Sequence, residues 1–318
     1  MKRITALSTL LLIISTAFGQ KTEALPFGDF NSWVTREINE SRLIGGNVKK
    51  CYAIGPSQTI TGDKPYTPAG GSPWATSNVM AKVMGITKVS NMVFPHDRGN
   101  GNKCAMLCTG LEHCKAIGII DIDVVVAGTI FLGRMIEPIK STSNPYQKME
   151  MGIPFTKRPV ALCYDYMLEM PKTKIRTYSS GFGKKKDIPG ADKAEVFIIL
   201  QRRWEDENGN LHAKRVGTGR ELLNLSTASW NNGHKLAVHY GDITGRPDYK
   251  PYMGLIKKDK SYYARNSKGK MVPVVEEGWD NPDATPTHLL IMFSSGSGEP
   301  YTGTIGTKFY VDNVALAY

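Results

Sequence analysis

Two carboxylates stand two residues apart in the stretch IIDIDVVV. Asp121 and Asp123 project from one face if this stretch is a strand, because strand side chains alternate. Paired carboxyl groups carry out glycoside hydrolysis, one as general acid and the other as base or nucleophile. The alternative is an exposed strand face whose apolar other side packs on the core. Glu276 and Glu277 are a second pair, but neighbouring strand residues point in opposite directions.

The run CAMLCTGLEHC brings together thiols and an imidazole, which are zinc-binding groups. Its residues Cys104, Cys108, His113 and Cys114 lack the CxxC spacing of common zinc sites, and KCAMLCT has the pattern of a strand. The five cysteines of the chain are an odd number, so they do not indicate a disulfide framework. The pattern favours thiols that act as small buried hydrophobic side chains.

Aromatic rings in polar loops are candidates for sugar binding, because the apolar face of a sugar stacks on a flat ring. Four such residues lie in segments rich in Gly, Pro, Asp and Asn: Trp74, Trp279, Tyr249 and Tyr252. Trp204 and Trp230 end predicted strands, where packing in the core explains them better. The sequence therefore predicts a sugar platform in the loops.

Strand patterns run through most of the chain, separated by turns rich in Gly, Pro and Asn. The segment EDENGN carries the Asn-Gly signature of a hairpin, and residues 259–283 are interpreted as a decorated loop or a small extra hairpin. Only NSWVTREINESR and GRELLNLSTASW are candidates for short helices. This pattern predicts an all-β fold, an antiparallel β-sandwich. The clearest strand segments are KKCYAI, KCAMLCT, IDIDVVVAGTIFLG, ALCYDYMLEM, AEVFIILQRRW, AKRVGTGREL, HKLAVHY, THLLIMFSS and KFYVDNVALAY.

The terminal segment KFYVDNVALAY alternates with period two and is predicted to be a strand tied into the sheet. Asp312 falls on its mostly apolar face, where an unpaired carboxylate is costly. It therefore requires a partner, which could be Arg, Lys, a metal ion or the backbone of a bulge.

The first residues have the pattern of a secretory signal peptide: a basic start, the apolar run LLLII and a small-residue cleavage motif ending at Gly19. We therefore expect residues 1–19 to be removed and residues 20–318 to form a single exported domain without a transmembrane segment. The chain of 318 residues carries a net charge of +11, which falls by two without Lys2 and Arg3. This basic balance favours anionic partners, and export argues against nucleic acid.

Several motifs resemble those of the putative carbohydrate metabolism domain family of glycan-degrading bacteria. They include GGSPWATSNV, AGTIFLGRM, GIPFTKRPVAL and FSSGSGEPYTGTIGTKFYVDNVAL, and the likeness extends from about Phe27 to Tyr318. The resemblance implies a jelly roll of the galactose-binding type, similar to carbohydrate-binding modules, and a sugar as the class of ligand. Modules of this type often hold a structural calcium ion between the first and last strands. By this resemblance, Asp29 and Asp312 are the candidate calcium ligands.

Three functions remain open at this point. The first is an exported protein that binds a polysaccharide, with an acidic one favoured by the charge, and that performs no catalysis. The second is a glycoside hydrolase that uses Asp121 and Asp123. The third is a structural or adhesive protein of the cell envelope. The absence of a nucleophile or metalloprotease motif favours the first.

Overall fold

A computed structural model describes residues 21–116, 120–181 and 185–318, so the predicted signal peptide lies outside the described residues. Within them the regular secondary structure is almost entirely strand, and none of the helices has the length and apolar character of a membrane-spanning segment. Four short 3-10 helices cover Arg42–Ile44, Pro145–Lys148, Pro251–Met253 and Lys258–Lys260. The strands are β1 Thr22–Ala24, β2 Trp33–Asn39, β3 Val48–Ile54, β4 Gln58–Thr61, β5 Trp74–Thr76, β6 Val79–Val83, β7 Ile86–Ser90, β8 Val93–Gly99, β9 Asn102–Ala116, β10 Ile120–Ala127, β11 Thr129–Met135, β12 Met149–Met151, β13 Ile153–Pro154, β14 Ala161–Glu169, β15 Ile175–Tyr178, β16 Ser180–Gly181, β17 Lys186–Pro189, β18 Ala194–Glu205, β19 Leu211–Leu223, β20 Asn231–Ala237, β21 His239–Tyr240, β22 Tyr263–Arg265, β23 Met271–Trp279, β24 His288–Ser294, β25 Thr302–Gly303 and β26 Lys308–Ala317.

The eight-stranded sheet is centred on the last strand of the chain. Its order is β16-β10-β9-β26-β14-β20, with β1 added to β26 and β8 added to β9. Strand β1 pairs antiparallel with β26, from Thr22 opposite Ala317 to Ala24 opposite Ala315. The predicted all-β sandwich and the pairing of the first and last strands are both confirmed.

The ten-stranded sheet closes on itself. Its order is β13-β24-β18-β19-β23-β22-β12-β11-β5, with β21 added to β19. Strand β24 pairs with both β18 and β11, so the seven strands from β24 through β11 form a hydrogen-bonded ring. Two contacts in the ring are parallel, β19 with β23 and β12 with β22. Smaller sheets join β17-β15-β25, β3-β2-β4 and β6-β7.

Strand β18 shows why this sheet is buried on both sides. Its segment VFIIL has no polar residue, which is typical of a strand without a solvent face. Val196, Ile198 and Leu200 pack into the main core shared with the eight-stranded sheet. Phe197 and Ile199 point the other way, into a second apolar cluster on the ring side.

The sequence suggested one long strand in IDIDVVVAGTIFLG, but the chain changes sheets at Gly128. Strand β10 belongs to the eight-stranded sheet and β11 to the ten-stranded sheet. A Cβ atom at Gly128 would lie 2.2 Å from the Met92 carbonyl oxygen and 2.6 Å from the Cys108 nitrogen, so only glycine fits this crossing.

Neither candidate α-helix forms: NSWVTREINESR contains β2, and the GRELL part of GRELLNLSTASW belongs to β19, which ends at Leu223. The predicted EDENGN hairpin joins β18 to β19, and its tip is closed by the backbone hydrogen bond from Asp206 to Asn210. The extra hairpin in residues 259–283 is formed by β22 and β23.

A fully buried ion pair joins β19 to β23 inside the ten-stranded sheet. Arg215 donates two parallel hydrogen bonds to Glu276, of 2.7 and 2.6 Å, and both side chains have no solvent exposure. Gln201 and the backbone N–H of Ile256 also donate to Glu276, each at 2.7 Å. Burial acts to raise the pKa of Glu276, but the charge and hydrogen bonds of Arg215 outweigh it and hold the pKa below its usual value.

We expect Arg215→Met to lower the free energy of unfolding by about 3–5 kcal/mol, because the carboxylate of Glu276 would remain buried without its counter-charge. Urea unfolding followed by circular dichroism measures the loss. The matched control is Arg246→Met, which removes an ion pair with Asp248 that is exposed on both sides and should therefore have little effect on stability. Equal losses in the two variants would contradict the structural role of the buried pair.

Candidate functional site

A cleft with a volume of about 540 Å³ lies where three parts of the fold meet. The ring contributes Phe197, Ile199 and Met292. Strand β10 of the eight-stranded sheet contributes its apolar face, and the β6–β7 hairpin contributes a third part of the lining. A cleft at the mouth of a closed β-structure is a common place for a small-molecule or sugar site.

The sequence pattern allowed the apolar face of β10 to pack on the core. The structure places Ile122, Val124 and Val126 along the cleft instead. Their side chains are only half-buried, whereas Val125 on the other face is buried. The β10 strand therefore presents apolar surface to a potential ligand.

Tyrosine rings from the connecting segments line the cleft beside the ring. Tyr262 lies between Tyr146 and Phe197, with ring centroids 5.9 Å from each. Tyr252 and Tyr301 also line the cleft. Burial raises the pKa of Tyr146 to about 12, and its hydroxyl is therefore neutral and able to donate a hydrogen bond at physiological pH. The arrangement supplies flat apolar faces and hydroxyl groups together.

Two neighbouring ring strands, β18 and β19, contribute an ion pair to the cleft. Arg220 donates to Glu195 from Nε at 2.6 Å, and its terminal nitrogen lies 2.5 Å from the same oxygen. Burial acts to lower the pKa of Arg220, but the carboxylate of Glu195 outweighs it and the pKa is raised. The guanidinium carbon lies 5.7 Å from the ring centroid of Phe197. This pair can offer a charged hydrogen-bonding edge next to aromatic surface.

The other two acidic residues that line the described part of the cleft also contact cations. Glu299 accepts a hydrogen bond from Lys260. Glu112 accepts one from the backbone of Asn91 at 3.1 Å, and Lys88 lies 3.6 Å from its other oxygen. The oxygens of both carboxylates can also accept hydrogen bonds from a ligand.

Two lysines that line the cleft, Lys148 and Lys257, have no carboxylate within salt-bridge distance among the described residues. Lys148 is half-buried and Lys257 is exposed. They add positive charge that is not neutralised locally, so this part of the cleft favours an anionic group on a ligand.

Of the four aromatic residues predicted to bind sugar, Tyr252 lines the cleft. It belongs to the short helix Pro251–Met253, and burial raises its pKa. Tyr249 does not line the cleft, but it supports this segment: a Cβ at Gly254, itself a lining residue, would lie 3.0 Å from the Tyr249 hydroxyl.

Trp74 is placed differently from the prediction of an accessible loop ring. It lies in β5 with 1% of its surface exposed. Its indole N–H donates to the carbonyl of Pro26 at 2.9 Å, and the ring packs between Phe30 and Phe293, at 5.4 and 6.5 Å. A ring that is fully covered in this way offers no face for stacking on a sugar.

Trp279 ends β23, away from the cleft lining, and is half-buried. The guanidinium carbon of Arg215 lies 5.7 Å from its ring centroid, so Trp279 packs beside the buried ion pair. Glu276 belongs to that pair, whereas the neighbouring Glu277 is exposed and contacts His212 at 2.6 Å. The structure does not bring these two carboxylates together on one face.

Asp121 and Asp123 each have a separate cationic partner. The Asp121 carboxylate is 63% exposed and lies 3.3 Å from Lys115. Asp123 contacts His113 at 2.5 Å and Lys185 at 3.0 Å, and these two partners, His113 first, hold its pKa below the usual range. A carboxyl with a lowered pKa is ionised at neutral pH and is a poor general acid. Neither aspartate lines the cleft.

Asp312 has an arginine as its partner. Its Oδ2 accepts hydrogen bonds from Arg98 at 2.5 Å and from Asn102 at 3.0 Å, and its Oδ1 accepts the backbone N–H of Asn313 at 2.8 Å. Arg98 also donates to Asp165 at 2.9 Å. The bulge predicted as one alternative is present as well, with a register shift in the β14–β26 ladder and a positive φ of 52° at Asn313.

These residues do not fit a calcium site. The guanidinium of Arg98 already places a positive charge against the buried carboxylate of Asp312. Asp29 is exposed and its carboxylate accepts from Asn31 at 3.2 Å. Across residues 21–116, 120–181 and 185–318, no three His, Cys, Asp or Glu side chains form a group able to hold a metal ion.

The cysteines are placed as the sequence analysis favoured. Cys51, Cys104, Cys114 and Cys163 are buried, and Cys108 is half-buried. Burial raises the pKa of Cys51 and of Cys104 to about 12, so both remain thiols. His113 contacts Asp123 instead of joining the cysteines.

The fold and cleft define an all-β protein with a partly apolar cleft at the mouth of a strand ring. The chain belongs to the family described as the putative carbohydrate metabolism domain, whose model matches residues 54–317. Among solved structures, the chain is similar to the crystal structure of a putative glycoside hydrolase from Bacteroides thetaiotaomicron, with 16% identity and a TM-score of 0.42 over 86% of this chain and 81% of that chain. No curated protein matches the chain.

Sequence reasoning missed most of the cleft. Glu195, Arg220, Tyr146 and Tyr301 come from separate segments and carry no recognisable spacing. One available sign was the uninterrupted apolar segment of β18, which indicates burial on both faces and therefore surface beyond the main core. Nothing in the spacing identifies the polar residues that border it.

We expect the folded protein to react very slowly with Ellman's reagent at pH 8, because the thiolate is the reactive form and burial disfavours it. The half-buried Cys108 should account for the first thiol to react, and Cys108→Ser should abolish this phase. In denaturant all five cysteines should react. Rapid modification of several thiols in the native protein would contradict the burial described above.

Proposed function

We propose that this protein is an exported glycan-binding protein that captures an acidic polysaccharide in the cleft and does not cleave it. The observation that carries the proposal is the combination, in one cleft, of tyrosine rings with polar groups that are already ion-paired. Membership of a carbohydrate-related family supports a sugar as the ligand. The predicted signal peptide supports export.

Different residues of the cleft would make different kinds of contact with a sugar. Tyr252 and Tyr262 can stack against the C–H faces of sugar rings, while Glu195 and Arg220 can accept from and donate to hydroxyl groups. Lys148 and Lys257 would attract a carboxylate or sulfate on the sugar. Each such contact gains only a small surplus over desolvation, so we expect dissociation constants from micromolar to millimolar.

The arrangement of carboxylates favours binding over hydrolysis. A hydrolase needs one carboxyl group that holds its proton near neutral pH. Glu112, Glu195 and Glu299 each contact a lysine or arginine, so no carboxyl group among the described cleft residues lacks a cationic partner. Asp121 and Asp123 are paired in the same way outside the cleft.

Titration calorimetry with polygalacturonate tests the proposal. Tyr252→Ala should weaken binding by roughly three- to tenfold, the loss expected for one aromatic stacking contact. Lys257→Ala should also weaken binding, and the affinity of the wild type should fall as salt rises, because an exposed charge is screened. Lys258→Ala is the matched control, since the neighbouring Lys258 is exposed but does not line the cleft.

Reducing-sugar release is measured on the same samples. Wild-type binding that survives both Tyr252→Ala and Lys257→Ala unchanged would contradict the cleft as the site. Release of reducing ends by the wild type, abolished by Asp123→Asn, would favour the hydrolase instead.

A further inference from the structure

Trp204 is the most solvent-exposed tryptophan of the chain, with 40% of its surface exposed. Trp33 and Trp74 are buried, and Trp230 and Trp279 are half-buried. A core position was predicted for Trp204 because it ends a strand. The structure corrects this, since the β18–β19 hairpin carries the ring beyond the covered part of the sheet.

The position of Trp204 follows from strand alternation. Ile198 and Leu200 on β18 face the main core. Arg202 and Trp204 continue the same face towards the hairpin tip, and both are exposed. In the β18–β19 ladder His212 stands opposite Trp204. An aromatic residue is thus placed where the apolar face of the strand reaches solvent.

The ring is held in one orientation. It stacks on the imidazole of His212, with ring centroids 5.5 Å apart and planes inclined by 18°. His212 is itself fixed on both sides, with Nδ1 2.6 Å from Glu277 and Nε2 3.3 Å from Asp206. One face of the indole is therefore supported while 40% of the residue remains open to solvent. A rigid aromatic face lowers the entropic cost of binding a ligand.

Hydrogen-bonding groups surround the ring. Arg202 binds Asp280 through two hydrogen bonds of 2.6 and 3.0 Å, and Glu277 is 44% exposed beside His212. Lys214 stands opposite Arg202 in the ladder. Positive and negative groups alternate here, so the surface has no single-sign field that would select a charged ligand. A flat ring bordered by such groups fits the hydroxyls and apolar face of a neutral sugar.

This surface is separate from the cleft. The cleft uses Glu195, Phe197 and Ile199 at the start of β18. Trp204 lies five residues beyond Ile199, which corresponds to roughly 16 Å along a strand. None of the groups that surround Trp204 lines the cleft.

We propose that Trp204, supported by His212, is a second glycan-binding platform that stacks a neutral pyranose ring from the interior of an extended polysaccharide chain. A ring that is open to solvent accepts a continuous chain and does not require a chain end. The platform shares with the proposed function only the class of ligand, and it does not depend on binding in the cleft.

Native affinity electrophoresis tests the platform with two neutral polysaccharides, laminarin and xyloglucan, and with polygalacturonate as the acidic comparison. We expect Trp204→Ala to weaken binding to at least one neutral polysaccharide by roughly three- to tenfold, with Trp204→Phe retaining part of the binding. Tyr252→Ala should leave neutral binding unchanged. Leu225→Ala, which alters a 76% exposed apolar side chain elsewhere, is the surface control.

Acrylamide quenching of tryptophan fluorescence provides a second readout on the wild type. Saturating neutral polysaccharide should shield the exposed tryptophan, and Trp204→Phe should lose this change. Loss of polygalacturonate binding in Tyr252→Ala with normal neutral binding would separate the two sites. Equal binding of both neutral polysaccharides by the wild type and Trp204→Ala, or no neutral binding by the wild type, would overturn the platform.

Discussion

The bidentate ion pair between Arg215 and Glu276 is the interaction on which the arrangement of the ten-stranded sheet depends. It joins the parallel strands β19 and β23 in the interior, where neither side chain has any contact with solvent. A pair buried to this extent is stable only when its geometry is good and its remaining groups are satisfied. Gln201, Thr218 and the backbone of Ile256 meet this condition. The bond from Ile256 also anchors a segment of the cleft wall, so the buried pair connects the ring to the candidate site.

A sheet that closes into a ring has two apolar faces to cover. The face of β18 with Val196 and Ile198 is covered by the eight-stranded sheet, as in any sandwich. The face with Phe197 and Ile199 continues into the cleft, where tyrosines from short connecting segments complete it. The cleft is thus formed by the second apolar face of the ring and not by loops attached to the outside of the main core. Near the hairpin tip, β18 and β19 extend beyond the eight-stranded sheet and the cleft segments, and Trp204 is therefore exposed at the surface.

Local patterns predicted the features that depend on local physics. The alternation around Asp312 predicted the last strand, and the Asn-Gly signature at 208–209 predicted the hairpin. Because burying an unpaired carboxylate is unfavourable, the sequence predicted a partner for Asp312. Only the fold identifies that partner as Arg98, which is distant in sequence. The crossing at Gly128 was not predictable, because its cause is the close approach of Met92 and Cys108. Loop composition was misleading for Trp74 and strand position for Trp204, since exposure depends on which distant elements cover a ring.

The central claim is that the cleft at the ring mouth binds a glycan. Hydrogen–deuterium exchange of the wild type, with and without a saturating acidic oligosaccharide, tests it most directly, because bound ligand slows exchange of the backbone it covers. The account predicts protection in residues 145–149 and 251–262, which carry the tyrosines and lysines of the cleft, with no change in β14 or β26 of the opposite sheet. Protection confined to the β14–β26 ladder, with the cleft segments unchanged, would contradict it.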